Sequence, residues 1–331
     1  MTLVVPDGLG VAPLQPLYLD WLHAADVEVA VLRLDLLDPL ISGNKWFKLK
    51  HHLQAASAAR ADGVISLGGA HSNHLHALAA AGQRFAFTTV GLLRGTPQET
   101  PTVRDLRRFG MHLHWLGHGG YRARHQPGFW DAWRERYPGF YCLPEGGGGL
   151  AGALGCGELL EHVGKQLPRL GWSDYHAWWL ACGTGTTLAG LVLAEAGAHP
   201  VHGAMAVPAS HGVAAQVRSV LAEAAVADTG YHLLDASRGA FARVDDELLA
   251  FLHTSEAASG VPLEPVYTAK ALIALRHCVG AGYFARGSRL VFIHTGGLQG
   301  RDAALSLRQP AGPAPLAGNS DLDQRSLDSH E

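Results

Sequence analysis

The chain has 331 residues, 47% apolar and 17% charged, which excludes a disordered or collagen-like polypeptide. Lysine plus arginine number 26 against 29 aspartates and glutamates, a formal charge of −3, so no basic field invites nucleic acid or an anionic membrane. The length suggests two domains. Met1 to Leu14 has no basic start and no sustained apolar core, so no secretory signal is expected. The uncharged stretch from Ala177 to Ala194 is interrupted by glycines and threonines and reads as buried, not membrane-spanning. The four cysteines lie far apart without a C-x-x-C pair and are expected to be buried thiols in a reducing compartment, the cytoplasm.

Short apolar runs alternate with longer amphipathic segments, the signature of βα units and mostly parallel sheets. The spacing predicts a helix from Phe47 to Arg60, a strand from Gly63 to Leu67 and a helix from Asn73 to Ala81. A strand from Ala86 to Leu92, a helix from Thr102 to Phe109, a strand from Met111 to Trp115 and a helix from Arg122 to Tyr137 follow. A glycine-rich break at Glu145 to Gly149 precedes a helix from about Ala153 to Gln166. The second series has strands at Ala177 to Ala181, Val201 to Val207 and Arg289 to His294. Its helices are Thr187 to Ala196, Gly212 to Ala227, Asp245 to Ala258 and Thr268 to Val279. Residues 309–331, rich in proline, glycine, serine and aspartate, read as a mobile tail.

Open α/β sheets bind ligands beyond the carboxyl ends of their strands, so the loops there carry the chemistry. Gly183-Thr184-Gly185-Thr186-Thr187 follows a strand and opens a helix. Free N–H groups and the helix dipole favour an anion at such a turn, although a tight turn without ligand has the same pattern. With no following lysine it is not a Walker loop, and Leu188 breaks the dinucleotide pattern G-x-G-x-x-G. Ser42-Gly43-Asn44-Lys45 places a lysine at the positive end of a helix, which disfavours an ammonium and suits a nucleophile toward a carbonyl. Read alone, Lys45 is equally a solvated helix-start lysine. Ser72, in Gly68-Gly69-Ala70-His71-Ser72-Asn73-His74, either caps the next helix or meets a substrate carboxylate. Tyr267 stands at a helix entrance beside Thr268, and Thr295 follows a strand into Gly296-Gly297.

Taken in order, G-N-K-x-x-K-L, G-G-x-x-S-N-H and P-V-Y-T-x-K resemble the pyridoxal-phosphate enzymes of the tryptophan-synthase-β fold type (fold type II). The resemblance runs from about Asp38 to Gly300 and is to the branch holding D-cysteine desulfhydrase and 1-aminocyclopropane-1-carboxylate (ACC) deaminase. It implies two open-sheet α/β domains with the active site in the cleft between them. Residues 1–50 and 166–308 would form the large cofactor-binding domain and 51–165 the small one. It implies pyridoxal 5′-phosphate held covalently by Lys45, which also serves as a base. Gly183, Thr184, Gly185, Thr186 and Thr187 would hold the phosphate, Asn73 the ring oxygen, and Thr295 would lie near the ring nitrogen. Ser72, Asn73, His74 and Tyr267 would bind a small amino-acid substrate, with Ser72 and Tyr267 also catalytic. A homodimer is expected on the same grounds.

The chain departs from the ACC deaminase pattern, which has Gln-Ser-Asn-Gln for His71-Ser72-Asn73-His74 and a glutamate for Thr268. Without that carboxylate the ring nitrogen is a shallower electron sink. The expected reaction is therefore β-elimination and deamination to a keto acid and ammonia, giving sulfide, pyruvate and ammonia from D-cysteine. ACC opening to 2-oxobutanoate is the alternative, and a non-catalytic cofactor- or amino-acid-binding protein is the alternative of another class. Trp46-Phe47 and Leu75-His76 stand where the desulfhydrases have threonine–arginine and valine–arginine, which raises the question of a reshaped pocket. His71, His74 and His76, and separately His112 and His114, form histidine clusters without a nearby carboxylate or thiolate, so no metal is expected.

Overall fold

A computed structural model describes residues 8–306. Ten strands are present among the described residues: β1 (Leu14–Pro16), β2 (Val27–Arg33), β3 (Gly63–Gly68), β4 (Thr88–Leu93), β5 (His112–Trp115), β6 (Phe140–Cys142), β7 (Ala177–Cys182), β8 (Val201–Met205), β9 (Tyr231–Asp235) and β10 (Ser288–His294). They form a six-stranded sheet, ordered β1-β2-β10-β7-β8-β9, and a four-stranded sheet, ordered β5-β4-β3-β6. Only the β1–β2 pair is antiparallel. This is the expected α/β architecture with two open sheets. The central strands are apolar on both faces because helices cover both: β7, Ala-Trp-Trp-Leu-Ala-Cys, is buried throughout.

The helix Lys45–Ala58 joins the last strand-end of the N-terminal segment to β3. Trp46, Phe47, Leu49, Leu53 and Ala56 are buried on it, whereas Lys45 and Lys48, three residues apart, share another face. The helices Gly149–Gly157 and Thr186–Glu195 cross at very short range. A Cβ on Gly190 would lie 2.1 Å from the carbonyl oxygen of Ala153, one on Gly155 would lie 2.0 Å from that of Phe47, and one on Gly152 would lie 1.9 Å from that of Gly147.

These contacts explain one departure from the pattern reading. The helix expected from about Ala153 begins at Gly149, because glycines that weaken a helix by propensity here let three backbones meet. It also breaks at Glu158, and a second helix runs Leu159–Gly164. The single helix expected from Arg122 to Tyr137 is instead three pieces, Gly117–Arg122, Ala123–His125 and Asp131–Arg136. Pro127 has no N–H to donate and Gly128 takes φ +78°, so the chain turns between them. The expected tail, 309–331, lies outside the described residues.

Gly190→Ala should therefore lower stability by about 1–3 kcal/mol. Gly280→Ala, whose Cβ would meet nothing within 4 Å, should be close to neutral. Urea unfolding of both variants checks this, and equal midpoints would contradict the close helix crossing.

Candidate active site

Loops from the carboxyl ends of both sheets converge on the first turn of the helix Lys45–Ala58. Gly43 (φ +78°) packs on the loop after β10, so tightly that a Cβ would lie 2.1 Å from Thr295 O. Asn44 joins three segments. Its N–H donates to Thr295 O at 3.2 Å, and its side-chain amide donates to Thr187 Oγ1 at 2.9 Å. Asn44 itself has helical backbone angles, φ −64° and ψ −7°, and Lys45 opens the helix with no side-chain cap.

Lys45 is half-buried and has no hydrogen bond or ion pair among the described residues. Burial and the neighbouring Lys48 ammonium hold its pKa well below the ordinary lysine range. Lys48 is 3% exposed. Among the described residues its amine has one hydrogen bond, to Thr184 Oγ1 at 3.2 Å, and burial lowers its pKa too. Thr184 Oγ1 in turn lies 3.0 Å from Thr186 Oγ1. Gly185, at φ +75°, forms the left-handed entry to the helix Thr186–Glu195. A Cβ there would strike Val217 Cγ2 at 2.5 Å, so the residue must be glycine on two counts. Free N–H groups, threonine hydroxyls and a buried ammonium without an anion thus meet at one point, the composition of a phosphate cradle.

The other expected residues surround this point. Asn73 accepts from Gln299 Nε2 at 2.9 Å, and its Nδ2 stands 3.0 Å from the place a Gly297 Cβ would occupy. Ser72 does cap its helix, accepting from Leu75 N at 3.2 Å. That leaves its O–H hydrogen to donate elsewhere. The Tyr267 ring lies 3.1 Å from a Gly183 Cβ position, and burial raises its phenol. Thr295 is half-buried at the end of β10. His74 does not open to the surface: it is 3% exposed and bonded through Nε2 to Ser66 Oγ at 2.8 Å.

The question raised by Trp46-Phe47 and Leu75-His76 has a structural answer. All four are core residues. Trp46 packs on Phe85, Phe47 on His162, and His76 on Phe109 and Asp105. His71 is exposed. Among the described residues no group of three or more histidine, cysteine, aspartate or glutamate side chains is arranged to hold a metal ion. All four cysteines are free thiols, Cys156 and Cys182 buried, Cys142 and Cys278 half-buried.

Several supporting residues have no role assigned from the motifs. Asp35 accepts from Arg33 at 2.8 and 2.6 Å and lies 3.1 Å from His294 Nδ1, a buried charge cluster directly beneath Thr295. His294 Nε2 reaches Pro262 O at 2.7 Å and so ties the Thr295 loop to the loop bearing Tyr267. Buried Lys270 donates to the carbonyls of Ser237 at 2.9 Å and Ala240 at 3.2 Å. Thr268, beside Tyr267 at the helix entrance, turns its hydroxyl to the backbone of Glu264. Glu264 accepts from the N–H groups of Val266 and Tyr267 at 2.7 and 2.8 Å, which fixes Tyr267.

Burial raises the Glu264 carboxyl from 4.5 to about 7. The folded value lies above the unfolded one, so this contribution is fully present below about 4.5 and is lost as pH rises through about 7. Its span is roughly 3 kcal/mol. Glu264→Gln should remove that component and flatten the dependence of the urea midpoint on pH over this range. An unchanged slope would contradict the assignment.

Comparison with known proteins matches this geometry. A family model described as "Pyridoxal-phosphate dependent enzyme" covers residues 5–296. The bifunctional D-cysteine desulfhydrase/1-aminocyclopropane-1-carboxylate deaminase of Arabidopsis thaliana is 28% identical over 295 residues, 82% of this chain and 73% of the relative. The D-cysteine desulfhydrase of Serratia proteamaculans is 27% identical over 286 residues, 82% of this chain and 86% of that one. The 1-aminocyclopropane-1-carboxylate deaminase of Rhizobium radiobacter is 25% identical over 304 residues, 82% and 87% of the two chains. The crystal structure of an ACC deaminase homologue shares the fold at 24% identity, with a TM-score of 0.78 over 92% of this chain and 95% of the other. No helix among the described residues is long and apolar enough to cross a membrane. The chain belongs to the pyridoxal-phosphate-dependent enzymes, and pyridoxal phosphate is its cofactor.

Proposed function

We propose that the chain is a lyase that eliminates the β-substituent of a small amino acid and deaminates it, with D-cysteine as the model substrate. The observation that carries this reading is buried Lys48, donating to Thr184 in the Gly183–Thr187 turn with no carboxylate partner among the described residues, one helical turn from the unpartnered Lys45 amine. The residues fit the cofactor. Lys48 and the threonine-lined helix start supply charge and donors for a phosphate, and the unpartnered Lys45 amine suits covalent attachment to an aldehyde.

Bound there, pyridoxal phosphate supplies an electron-withdrawing ring that stabilises negative charge at an amino acid's α-carbon. The remaining work falls to the chain. Thr184, Thr186, Thr187 and the N–H groups of Gly183 and Gly185 hold the phosphate together with Lys48. Asn73 Nδ2 would donate to the ring oxygen, its amide oriented by Gln299. Thr295 would lie near the ring nitrogen. Ser72 donates its O–H, and the start of the helix Asn73–Arg84 its N–H groups, to the substrate carboxylate. The Lys45 amine would take the α-proton. Tyr267 stands beside the departing group. The balanced overall change for D-cysteine consumes one water and releases hydrogen sulfide, pyruvate and ammonia.

The absence of a carboxylate at position 268 favours β-elimination over cyclopropane opening. Glu264 does not substitute for it, because both of its oxygens are engaged by backbone N–H groups. The ACC deaminase reading is supported by the names of the Arabidopsis and Rhizobium relatives and predicts 2-oxobutanoate. We further propose the division into residues 1–50 with 166–308 and 51–165, a homodimer, and a cytoplasmic location.

D-cysteine should yield sulfide and pyruvate in equal amounts. Lys45→Ala should lose at least about 10³-fold in kcat. Turnover of ACC faster than of D-cysteine would favour the second reading, and no turnover of a D- and L-amino-acid panel by cofactor-loaded protein would contradict both.

A further inference from the structure

Three loops leave the carboxyl ends of β7, β8 and β9, in the half of the larger sheet that ends at edge strand β9. The loop after β7 carries Gly183, and the Tyr267 ring packs on it, 3.1 Å from a Gly183 Cβ position. The loop after β9 carries Phe241, whose ring centroid lies 6.2 Å from that of Tyr267 with 59° between the planes. The loop after β8 carries His211, 6.2 Å from Phe241 with 40° between the planes. Tyr267, Phe241 and His211 therefore make a row of rings. It starts at the phosphate turn, where Tyr267 is half-buried, and runs outward to Phe241, which is 49% exposed.

A lone exposed phenyl ring is ordinary on a protein surface. This one is held in place. Its loop takes left-handed backbone angles at Arg238 (φ +57°), Gly239 (φ +86°) and Ala242 (φ +57°), two of them at residues other than glycine. The loop is fixed from beneath by Lys270, which is fully buried in the first turn of the helix that Tyr267 opens. Lys270 Nζ donates to Ser237 O at 2.9 Å, Ala240 O at 3.2 Å and Ala206 O at 3.4 Å. An ammonium has three donors, so one side chain ties the loops after β8 and β9 to the Tyr267 helix. The charges of the loop point elsewhere. Arg238 pairs with Asp245 and Glu247, and Arg243 Nη1 stands 3.6 Å from the Gly239 Cβ position. The ring pair Tyr267–Phe241 is thus an apolar wall of fixed geometry, continuous with the site.

We propose that Tyr267 and Phe241 form a subsite for an apolar group carried on the substrate's β-substituent, so that thioethers of cysteine are preferred over the free thiol. The inference rests on the lyase reading, with Tyr267 beside the departing group, and names the class of that group. A thiol ends at its sulfur. A thioether such as S-benzylcysteine continues past Tyr267 and lays its ring on Phe241, exchanging water for an aromatic face. In the reaction the bond from the β-carbon to sulfur breaks, and the sulfur leaves with the electron pair and takes up a proton. One water is consumed, and the products are benzyl thiol, pyruvate and ammonia.

The test measures pyruvate release by cofactor-loaded enzyme from cysteine and S-benzylcysteine, each as both enantiomers. Wild type should have the higher kcat/KM for the thioether. Phe241→Ala should lower the ratio of the two kcat/KM values about tenfold, through KM of the thioether, and Phe241→Tyr, which keeps a ring, should retain it. An unaltered ratio in Phe241→Ala, or a wild type that uses cysteine and refuses the thioether, would overturn the proposal. Inhibition of the wild type gives a second measurement that needs no variant. The analogue 2-amino-5-phenylpentanoate, with a methylene in place of sulfur, should inhibit about tenfold more strongly than 2-aminobutanoate, which has no ring. Equal inhibition would equally overturn it. Release of pyruvate from neither substrate would defeat the lyase reading itself, and the subsite with it, a result distinct from a flat ratio.

Discussion

Two lysines one helical turn apart, Lys48 buried and Lys45 half-buried, with no carboxylate to neutralise either among the described residues, are the constraint on which this site depends. Desolvating a cation without a partner is expensive. A protein that keeps Lys45 and Lys48 in that state has a site waiting for negative charge and for a carbonyl. Pyridoxal phosphate has both. Its phosphate would compensate Lys48 and its aldehyde would consume the Lys45 amine.

The fold serves this point from two sides. β2, β7 and β10 in the larger sheet and β3 in the smaller all end near it, so every residue proposed to touch the cofactor comes from a strand-end loop or the first turn of a helix. Such loops need external ties. Asn44 holds the lysine turn to the loops bearing Thr187 and Thr295, and His294 holds the Thr295 loop to the one bearing Tyr267. Below them the Arg33–Asp35 pair is almost completely buried, and removing one partner would leave the other charged and unpaired.

Much of this was legible in the sequence because glycines and threonines at strand ends have few other uses. The turns at 43–45, 68–73, 183–187 and 295–297 stand where the alternation of strand and helix puts them. What pattern could not supply was tertiary. β1 and β6 have three residues each, too short for periodicity, and β9 is a half-exposed edge strand. β2 does carry the alternation Val27, Val29, Val31, yet the sequence reading begins its elements only at Phe47. Lys48 sits inside the motif that drew attention to Lys45, but only its burial against Thr184 marks it as part of the cradle. Trp46 and His76 are the converse, conspicuous in sequence and turned into the core by helical rotation. The chain signalled which residue types meet, and the structure added which face each one presents.

The central claim is that the cofactor is bound at Lys45, and the direct measurement is chemical. The chain has five lysines, Lys45, Lys48, Lys50, Lys165 and Lys270, so a covalent adduct has few possible addresses. The purified protein would be loaded with pyridoxal phosphate, reduced with borohydride and digested, and its peptides mapped by mass spectrometry. The account predicts a single stoichiometric pyridoxyl adduct on Lys45. An adduct on Lys48, on Lys270 or spread over several lysines would contradict it.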